Sequence, residues 1–212
     1  MSELVLVLGS RGSGKSTKAR ELTARAFRRV VLDPSKDWQA HGVRAVRSLP
    51  DLSKLIAARW RDGFDCVYTP PAGHEAIALH HLSNLVLAYQ EKFYRLHHEE
   101  DEVTIVVDEM AEAYGNDDAR RQYLSGFRRV ILQGRHFGVS VVGISQRPAD
   151  VAARYRDNCP RWYAFQLHDH TSRETVLQHI GPEYGAQYRA LARFEFLVAE
   201  EGRVSKGKTA KR

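Results

Sequence analysis

The stretch Leu4-Val5-Leu6-Val7-Leu8-Gly9-Ser10-Arg11-Gly12-Ser13-Gly14-Lys15-Ser16-Thr17 decides the fold of this 212-residue chain. An apolar run that favours β structure stops at Gly9, passes through a glycine-rich turn and continues into a segment where Leu22, Ala26 and Phe27 recur at helical spacing. Strand, glycine-rich loop and helix in this order, with the Gly14-Lys15-Ser16 triplet, match the Walker A pattern. The sequence therefore predicts a phosphate-binding loop at the start of an α/β sheet.

The residues of this loop have separate predicted roles. Lys15 reaches the β- and γ-phosphates of a nucleotide, and the Ser16 hydroxyl is a ligand of Mg²⁺. The helix that begins near Lys15 adds the positive end of its dipole to the same site. The other residues expected to bind the nucleotide are Gly9, Ser10, Arg11, Gly12, Ser13, Gly14 and Thr17. A glycine-rich turn that binds nothing is the alternative.

A second informative element is the strand Val103-Thr104-Ile105-Val106-Val107, which ends in Asp108-Glu109. A nearly continuous apolar run is typical of a parallel strand that is buried on both faces. It brings two adjacent carboxylates to the carboxyl end of a strand, where ligands bind in open α/β sheets. We expect Asp108 to hold Mg²⁺ and Glu109 to polarise the water that attacks the γ-phosphorus. An acidic cap of the following segment is the alternative.

A third buried strand, residues 139–144, ends in Ser145-Gln146-Arg147-Pro148. A glutamine at the tip of a strand beside both Walker elements can donate a hydrogen bond to the γ-phosphate or to the attacking water. We therefore predict that Gln146 is a phosphate sensor, whereas an isolated glutamine here would be an ordinary turn residue.

Length and composition bound the class of protein. The chain suits one α/β domain, which we place at residues 1–202. It has no apolar run long enough to span a bilayer and leaves no room for a signal peptide, so we expect a cytosolic protein. Its two cysteines are far apart and predict neither a disulfide nor a zinc site.

The charge of the chain favours a polyanionic partner. The formal net charge is +6, with an isoelectric point near 9.4. The basic excess is sharpest in residues 203–212, where no acidic residue occurs, and we expect this segment to be a solvated, disordered tail. The run His97-His98-Glu99-Glu100-Asp101-Glu102 is expected to be a solvated loop rather than a metal cluster.

Together these elements resemble the FtsK–HerA superfamily of DNA-pumping ATPases over residues 4–151. The most specific part is Gly134-Arg135-His136-Phe137-Gly138, which leads into the strand that ends Ser145-Gln146-Arg147-Pro148, and Val31-Leu32-Asp33-Pro34 is also similar. The resemblance implies a RecA-like ASCE sheet, mainly parallel and flanked by helices, with the sensor strand between the two Walker strands. It also implies ATP as the nucleotide and sites at subunit interfaces. Arg135 would be an arginine finger for the neighbouring subunit, with Arg128 or Arg129 as substitutes.

We expect none of the extra domains of cellular FtsK-type and HerA-type motors here, so the chain looks most like the genome-packaging ATPases of internal-membrane, double-jelly-roll viruses and phages. This narrower resemblance implies a homo-oligomeric ring, a pentamer or a hexamer, that translocates double-stranded DNA. It also implies a cytoplasmic protein that docks on a capsid portal or vertex.

Three other functions stay open at this point. A small-molecule kinase would need acceptor-binding and lid segments, and the Asp108-Glu109 pair favours water as the acceptor instead. A GTPase would need an Asn/Thr-Lys-x-Asp segment, which the sequence does not contain. A nucleotide-binding scaffold within a larger machine would bind nucleotide without turnover.

Overall fold

The structure is a computed structural model that describes residues 3–95, 98 and 101–210. Within these residues the strands are β1 (Leu4–Leu8), β2 (Arg28–Leu32), β3 (Arg44–Val46), β4 (Phe64–Tyr68), β5 (Val103–Asp108), β6 (Val139–Ser145), β7 (Arg161–Phe165), β8 (Glu195–Glu200) and β9 (Arg203–Lys208). The helices are α1 (Lys15–Thr23), α2 (Leu49–Arg59), α3 (Glu75–Phe93), α4 (Met110–Ala113), α5 (Ser125–Gln133), α6 (Ala153–Arg156), α7 (His170–Ile180) and α8 (Gly185–Arg189).

All nine strands belong to one sheet, in the order β3-β4-β2-β5-β6-β1-β7-β8-β9. The first seven in this order are parallel, and β8 and β9 are antiparallel additions at one edge. The strand β6 pairs with β1 on one side and with β5 on the other. This confirms the predicted mainly parallel α/β sheet with the sensor strand between the two Walker strands.

The two faces of the sheet are covered unequally. Side chains of α2, α3, α5, α6 and α7 pack on one face, whereas Ala19 of α1 and Trp38 pack on the other. Because the central strands are buried on both sides, successive residues such as Val5, Leu6 and Val7 are all apolar and buried. This packing fixes the carboxyl ends of β1, β5 and β6 beside one another, which is where the site lies.

Several predicted helices are shorter in the structure. The first was expected to include Ala26 and Phe27, but α1 ends at Thr23 and Phe27 is 45% exposed. The chain turns there to enter β2, and the Phe27 carbonyl accepts a hydrogen bond from the Phe64 N–H at 3.1 Å. The sequence of residues 120–133 also predicts a helix, but in the structure α5 begins at Ser125, after two short 3-10 turns, and a helix predicted over 149–155 is confined to α6.

The expectation of a disordered basic tail is wrong for residues 203–208. These residues form β9, which pairs with β8 over its whole length, from Glu200 opposite Arg203 to Glu195 opposite Lys208. Lys206 Nζ lies 2.7 Å from Glu195 Oε2, so one of the basic residues is an ion-pair partner within the sheet. Residues 211 and 212 lie outside the described residues.

The sequence also predicts a long helix over residues 74–96, which in the structure is α3, residues 75–93. Of the loop predicted at residues 97–102, residues 97, 99 and 100 lie outside the described residues. None of the described helices combines the length and the hydropathy that a membrane span needs.

Candidate nucleotide site

The loop between β1 and α1 has the backbone of a phosphate-binding turn. Gly12 and Gly14 have φ values of 73° and 110°, a left-handed region where glycine is far less strained than other residues. Gly9 has no room for a side chain, because a Cβ there would lie 2.5 Å from Ser13 Oγ and 2.6 Å from Phe165 Cβ. The three glycines therefore meet two steric demands of the loop, a left-handed backbone at Gly12 and Gly14 and close packing at Gly9.

The same loop is fastened to the strands on either side of β1. The Gly9 N–H donates to the Ser145 carbonyl at 3.3 Å, at the end of β6, and the Ser10 N–H donates to the Gln166 carbonyl at 3.1 Å, just after β7. The loop is thus held between two neighbouring strand ends before any ligand arrives.

Lys15 closes the loop. It is only 8% exposed, and its ammonium group donates to the Ser10 carbonyl at 3.0 Å. Burial lowers the pKa of Lys15, while the nearby carboxylates of Glu109, Asp108 and Asp37 act in the opposite direction. The lysine charge is therefore held at the mouth of the loop, facing the carboxylates at the end of β5.

Asp108 lies at the end of β5, as predicted, and is 9% exposed. Burial raises the pKa of Asp108 to about 7, with Asp33 and Glu109 contributing in the same direction. A cation beside a buried carboxylate favours its charged form. Asp108 and the Ser16 hydroxyl, at the start of α1, are oxygen donors of the kind that Mg²⁺ uses together with water and phosphate.

Asp33 and Ser35 belong to the same group, although the sequence analysis gave them no role. Asp33 is fully buried at the end of β2; its Oδ2 accepts from the Trp38 N–H at 2.9 Å and its Oδ1 from the Ser35 hydroxyl at 2.8 Å. The same Ser35 Oγ lies 3.3 Å from Asp108 Oδ2. The signal for both residues is their position in the sequence, since a polar residue that directly follows an apolar strand of a parallel sheet lies at the carboxyl edge, where ligands bind.

Glu109 has an unusual backbone. Its φ is 66° and its ψ 69°, a conformation that costs a non-glycine residue about 1–3 kcal/mol and that is found at functional sites more often than elsewhere. This conformation turns the side chain toward the end of β6. There Glu109 Oε1 accepts from the Ser145 hydroxyl at 2.9 Å, and its Oε2 accepts from Gln146 Nε2 at 3.2 Å. The structure therefore brings the predicted base and the predicted sensor into direct contact.

A cleft of about 1010 Å³ opens beside this pair. Its walls come from the carboxyl-edge loops after β2, β4 and β5, and three carboxylates line it, those of Glu75, Glu109 and Glu112. Burial raises the pKa of Glu112, and the charges of Glu109 and Glu75 add to this. Lys36 and Arg47 also line the cleft, which is open to solvent and carries charges of both signs, with the three carboxylates in excess by one.

Arg135 is not part of this group within one chain. It is exposed in the 3-10 turn Gly134–Phe137, which precedes β6, so it lies at the opposite edge of the sheet. Seven residues of β6 at about 3.3 Å each put it roughly 20 Å from Gln146. Of the two substitutes, Arg129 is paired with Glu91 at 2.7 Å, whereas Arg128 is exposed.

The fold of the chain is that of P-loop ATPases of known structure. The genome packaging NTPase B204 of Sulfolobus turreted icosahedral virus 2, in complex with AMPPCP, matches with a TM-score of 0.75 at 14% identity, over 99% of this chain and 98% of that one. VirB4 of Thermoanaerobacter pseudethanolicus matches with a TM-score of 0.70 at 11% identity, over 98% and 89%. The pCW3 conjugation coupling protein TcpA with ATPγS matches with a TM-score of 0.60 at 16% identity, over 98% and 60%.

These matches confirm the predicted structural resemblance over nearly the whole chain, well beyond residues 4–151. Because the identities are below 20%, these matches establish similarity of fold and nothing more specific. No family's sequence profile matches the chain, and no curated protein matches it by sequence.

Proposed function

We propose that the chain hydrolyses ATP at the carboxyl edge of its sheet and uses this hydrolysis to move double-stranded DNA. The observation that carries the proposal is the hydrogen-bonded set Glu109, Ser145 and Gln146 across from Lys15. A P-loop alone binds nucleotide, but a carboxylate fixed beside the sensor strand supplies a base for a water molecule.

Each residue of the site has a distinct task in this proposal. The backbone of residues 9–14 and the N–H groups of Ser16 and Thr17 hold the phosphates, and Lys15 turns from the Ser10 carbonyl to the β- and γ-phosphates. Glu109 accepts a proton from the attacking water, and Gln146 Nε2, next to it, orients that water or the γ-phosphate. Ser16 and Asp108 would hold Mg²⁺, which would supply positive charge against the phosphates.

A neighbouring subunit completes the site. Lys15 offsets only part of the charge that develops on the transferred phosphoryl group, and an arginine from another subunit typically adds about 10³ to 10⁵ in rate. The carboxylates of Glu109 and Glu112 in the cleft are partners for such a guanidinium. Arg135 is exposed at the opposite edge of the sheet, which is where a head-to-tail ring places the group it presents to the next subunit.

Two observations support DNA as the translocated substrate. The net charge of +6 favours a polyanion, and the structures that share this fold include a genome packaging NTPase and a conjugation coupling protein. Packaging of a double-stranded DNA genome into a viral procapsid, by a pentameric or hexameric ring docked on a portal or vertex in the host cytoplasm, is the specific form of the proposal. Transfer of DNA by another pump of the FtsK–HerA type is the alternative within the same class.

The experiment is phosphate release from ATP, with and without linear double-stranded DNA, by the wild type and two variants. We expect DNA to stimulate the wild type. Lys15→Ala should lose nucleotide binding, because the loop loses its cation. Glu109→Gln is nearly isosteric but cannot take up a proton, so it should bind ATP normally and hydrolyse it about 10² to 10⁴ times more slowly.

Two results would go against the proposal. Hydrolysis by Glu109→Gln at the wild-type rate would remove Glu109 from the role of base. Tight ATP binding by the wild type with no turnover at any DNA concentration would favour a nucleotide-binding scaffold instead.

A further inference from the structure

A second, smaller cavity adjoins the P-loop on the side away from Asp108. It has a volume of about 230 Å³ and lies between residues 10–13 of the P-loop, the segment after β7 with Gln166 and His168, and the turn 192–195 that enters β8. In the sheet, β7 and β6 flank β1 on opposite sides. The cavity and the catalytic carboxylates are therefore separated by the P-loop itself.

The turn at the far side of this cavity is strongly fixed. Phe194 has a φ of 70°, a conformation that is rare for a bulky side chain. The Glu195 N–H donates to the Ala192 carbonyl at 3.0 Å, and the Thr209 N–H, just after β9, donates to the Phe194 carbonyl at 3.0 Å. A strained turn that is held by the last strand presents its side chains in one arrangement.

Arg193 connects this turn to the P-loop. Its Nε donates to the Gly12 carbonyl at 3.2 Å, and its guanidinium lies over the Phe194 ring with 4.8 Å between the guanidinium carbon and the ring centroid. A guanidinium stacked on an aromatic ring is a flat, cationic platform. It stands directly beside the loop that would hold the phosphates.

We propose that this cavity takes the purine base of the nucleotide, with Arg193 as the group that the base stacks on. The inference rests on the proposed ATPase function. If the γ-phosphate points toward Lys15 and Glu109, on the β5 and β6 side, the other end of the nucleotide leaves toward β7. A volume of about 230 Å³ is below the roughly 300–1,000 Å³ of sites for whole drug-sized ligands and fits a single planar ring system.

The polar groups at this cavity determine how the base is recognised. The Glu195 carboxylate is already used by the Ala192 N–H at 2.8 Å and by Lys206 at 2.7 Å, and the Gln166 amide N–H group donates to the Arg189 carbonyl at 3.3 Å. Among the described residues, no hydrogen bond or ion pair engages the side chains of Arg11 and His168. Few polar groups of the cavity therefore remain for hydrogen bonds to a base edge, so stacking on Arg193 should dominate for adenine and guanine alike.

The test compares three ligands on the full chain: ATP, GTP and inorganic tripolyphosphate, which has no base. The wild type should bind both purine nucleotides with similar affinity and both much more tightly than tripolyphosphate. Arg193→Ala should weaken ATP and GTP about tenfold or more and leave tripolyphosphate within about twofold. Arg193→Lys keeps the charge but not the planar group, so it should also lose purine affinity.

The matched control is Arg61→Ala, an exposed arginine before β4 at the opposite edge of the sheet, which should leave all three affinities unchanged. Tripolyphosphate binding as tight as that of ATP to the wild type overturns the inference, and so does an equal loss of all three ligands in Arg193→Ala, which would make Arg193 a support of the P-loop only. Failure of the wild type to bind any of the three overturns the proposed function, and this inference with it.

Discussion

Asp108 is the residue on which the charge balance of the site depends. It is 9% exposed and has Asp33 and Glu109 for neighbours, with Lys15 as the nearby cation that acts against them. Several carboxylates near one buried lysine carry more negative charge than the lysine offsets, which favours binding of a divalent cation or a proton. A proton or a cation bound at Asp108 would therefore stabilise the folded site.

This imbalance predicts a pH dependence of stability in the absence of Mg²⁺ and nucleotide. The pKa of Asp108 is raised from an ordinary value of 3.8 to about 7, so the folded state holds a proton that the unfolded state releases. The stabilising contribution is complete below about pH 4 and is lost as the pH rises through about 7, by up to roughly 4 kcal/mol. We expect the melting temperature to fall from about pH 5 to about pH 8, by roughly 2–4 °C for each kcal/mol lost.

The control is Asp108→Asn, which has no proton to lose and should show a much flatter profile over the same range. Burial lowers the pKa values of His80 and His179, so these residues act with the opposite sign, but they do so equally in both proteins. An unchanged slope in Asp108→Asn would mean that Asp108 does not titrate in this way.

The sequence predicted the residues whose chemical type and position within a motif both indicate the same role. Asp108, Glu109 and Gln146 follow apolar strands, and the structure brings them together with Lys15 of the P-loop. Asp33 and Ser35 follow the apolar strand β2 and so have the same positional signal, but which strand ends lie beside β2 depends on the pairing of strands far apart in the chain. Arg193 lies in a turn before β8, outside the predicted motifs, and its place beside the P-loop depends on the same long-range pairing.

The buried side chain of Tyr155 keeps the strands β1 and β6 in register. The hydroxyl group of Tyr155, from α6, donates to the Val5 carbonyl of β1 at 2.8 Å and accepts from the Gly143 N–H of β6 at 3.0 Å. Gly143 is required beneath it, because a Cβ there would lie 2.9 Å from the Tyr155 hydroxyl oxygen. This buried contact ties the P-loop strand to the sensor strand.

The last strand shows why composition alone predicts the wrong structure for residues 203–208. Residues 203–208 are mostly basic, polar or glycine, which is typical of a solvated end, yet they form β9. Their order comes from pairing with β8, from the Lys206–Glu195 ion pair and from Thr209, which packs beside Gly14 of the P-loop. Removal of residues 203–212 is therefore expected to disturb the P-loop as well as to remove charge.

The proposed arginine finger, Arg135, lies in the turn between α5 and β6. If Arg135 acts on the neighbouring subunit, Arg135→Ala should bind ATP but lose about 10³ or more in turnover. Mixing it with Glu109→Gln should restore some activity, because some interfaces then pair an intact Glu109 with an intact Arg135. Turnover per subunit of the wild type should rise with protein concentration as rings form.

Arg129→Ala is the matched control for this experiment, since Arg129 is engaged by Glu91 of its own chain and should be dispensable for turnover. Normal hydrolysis by Arg135→Ala, under conditions where rings are observed, would show that Arg135 is not the finger. Arg128, which is exposed on α5, would then be tested next.

Basic residues of the whole molecule lie at both edges of the sheet, and the chain carries a net charge of +6. At the carboxyl edge, Arg11, Lys36 and Arg147 line the clefts around Glu109 and the P-loop. At the amino edge, Arg61, Arg135 and Arg203 are exposed. The proposed function requires exposed cations of this kind for sequence-independent contact with DNA phosphates.

Displacement of a triplex-forming oligonucleotide from one end of a linear DNA duplex tests most directly whether ATP hydrolysis drives movement along DNA. The wild type should displace the third strand only when ATP is present, after a lag that grows with the length of duplex between entry site and triplex. Glu109→Gln should bind ATP and DNA and displace nothing. ATP hydrolysis by the wild type with no displacement at any duplex length would contradict the account.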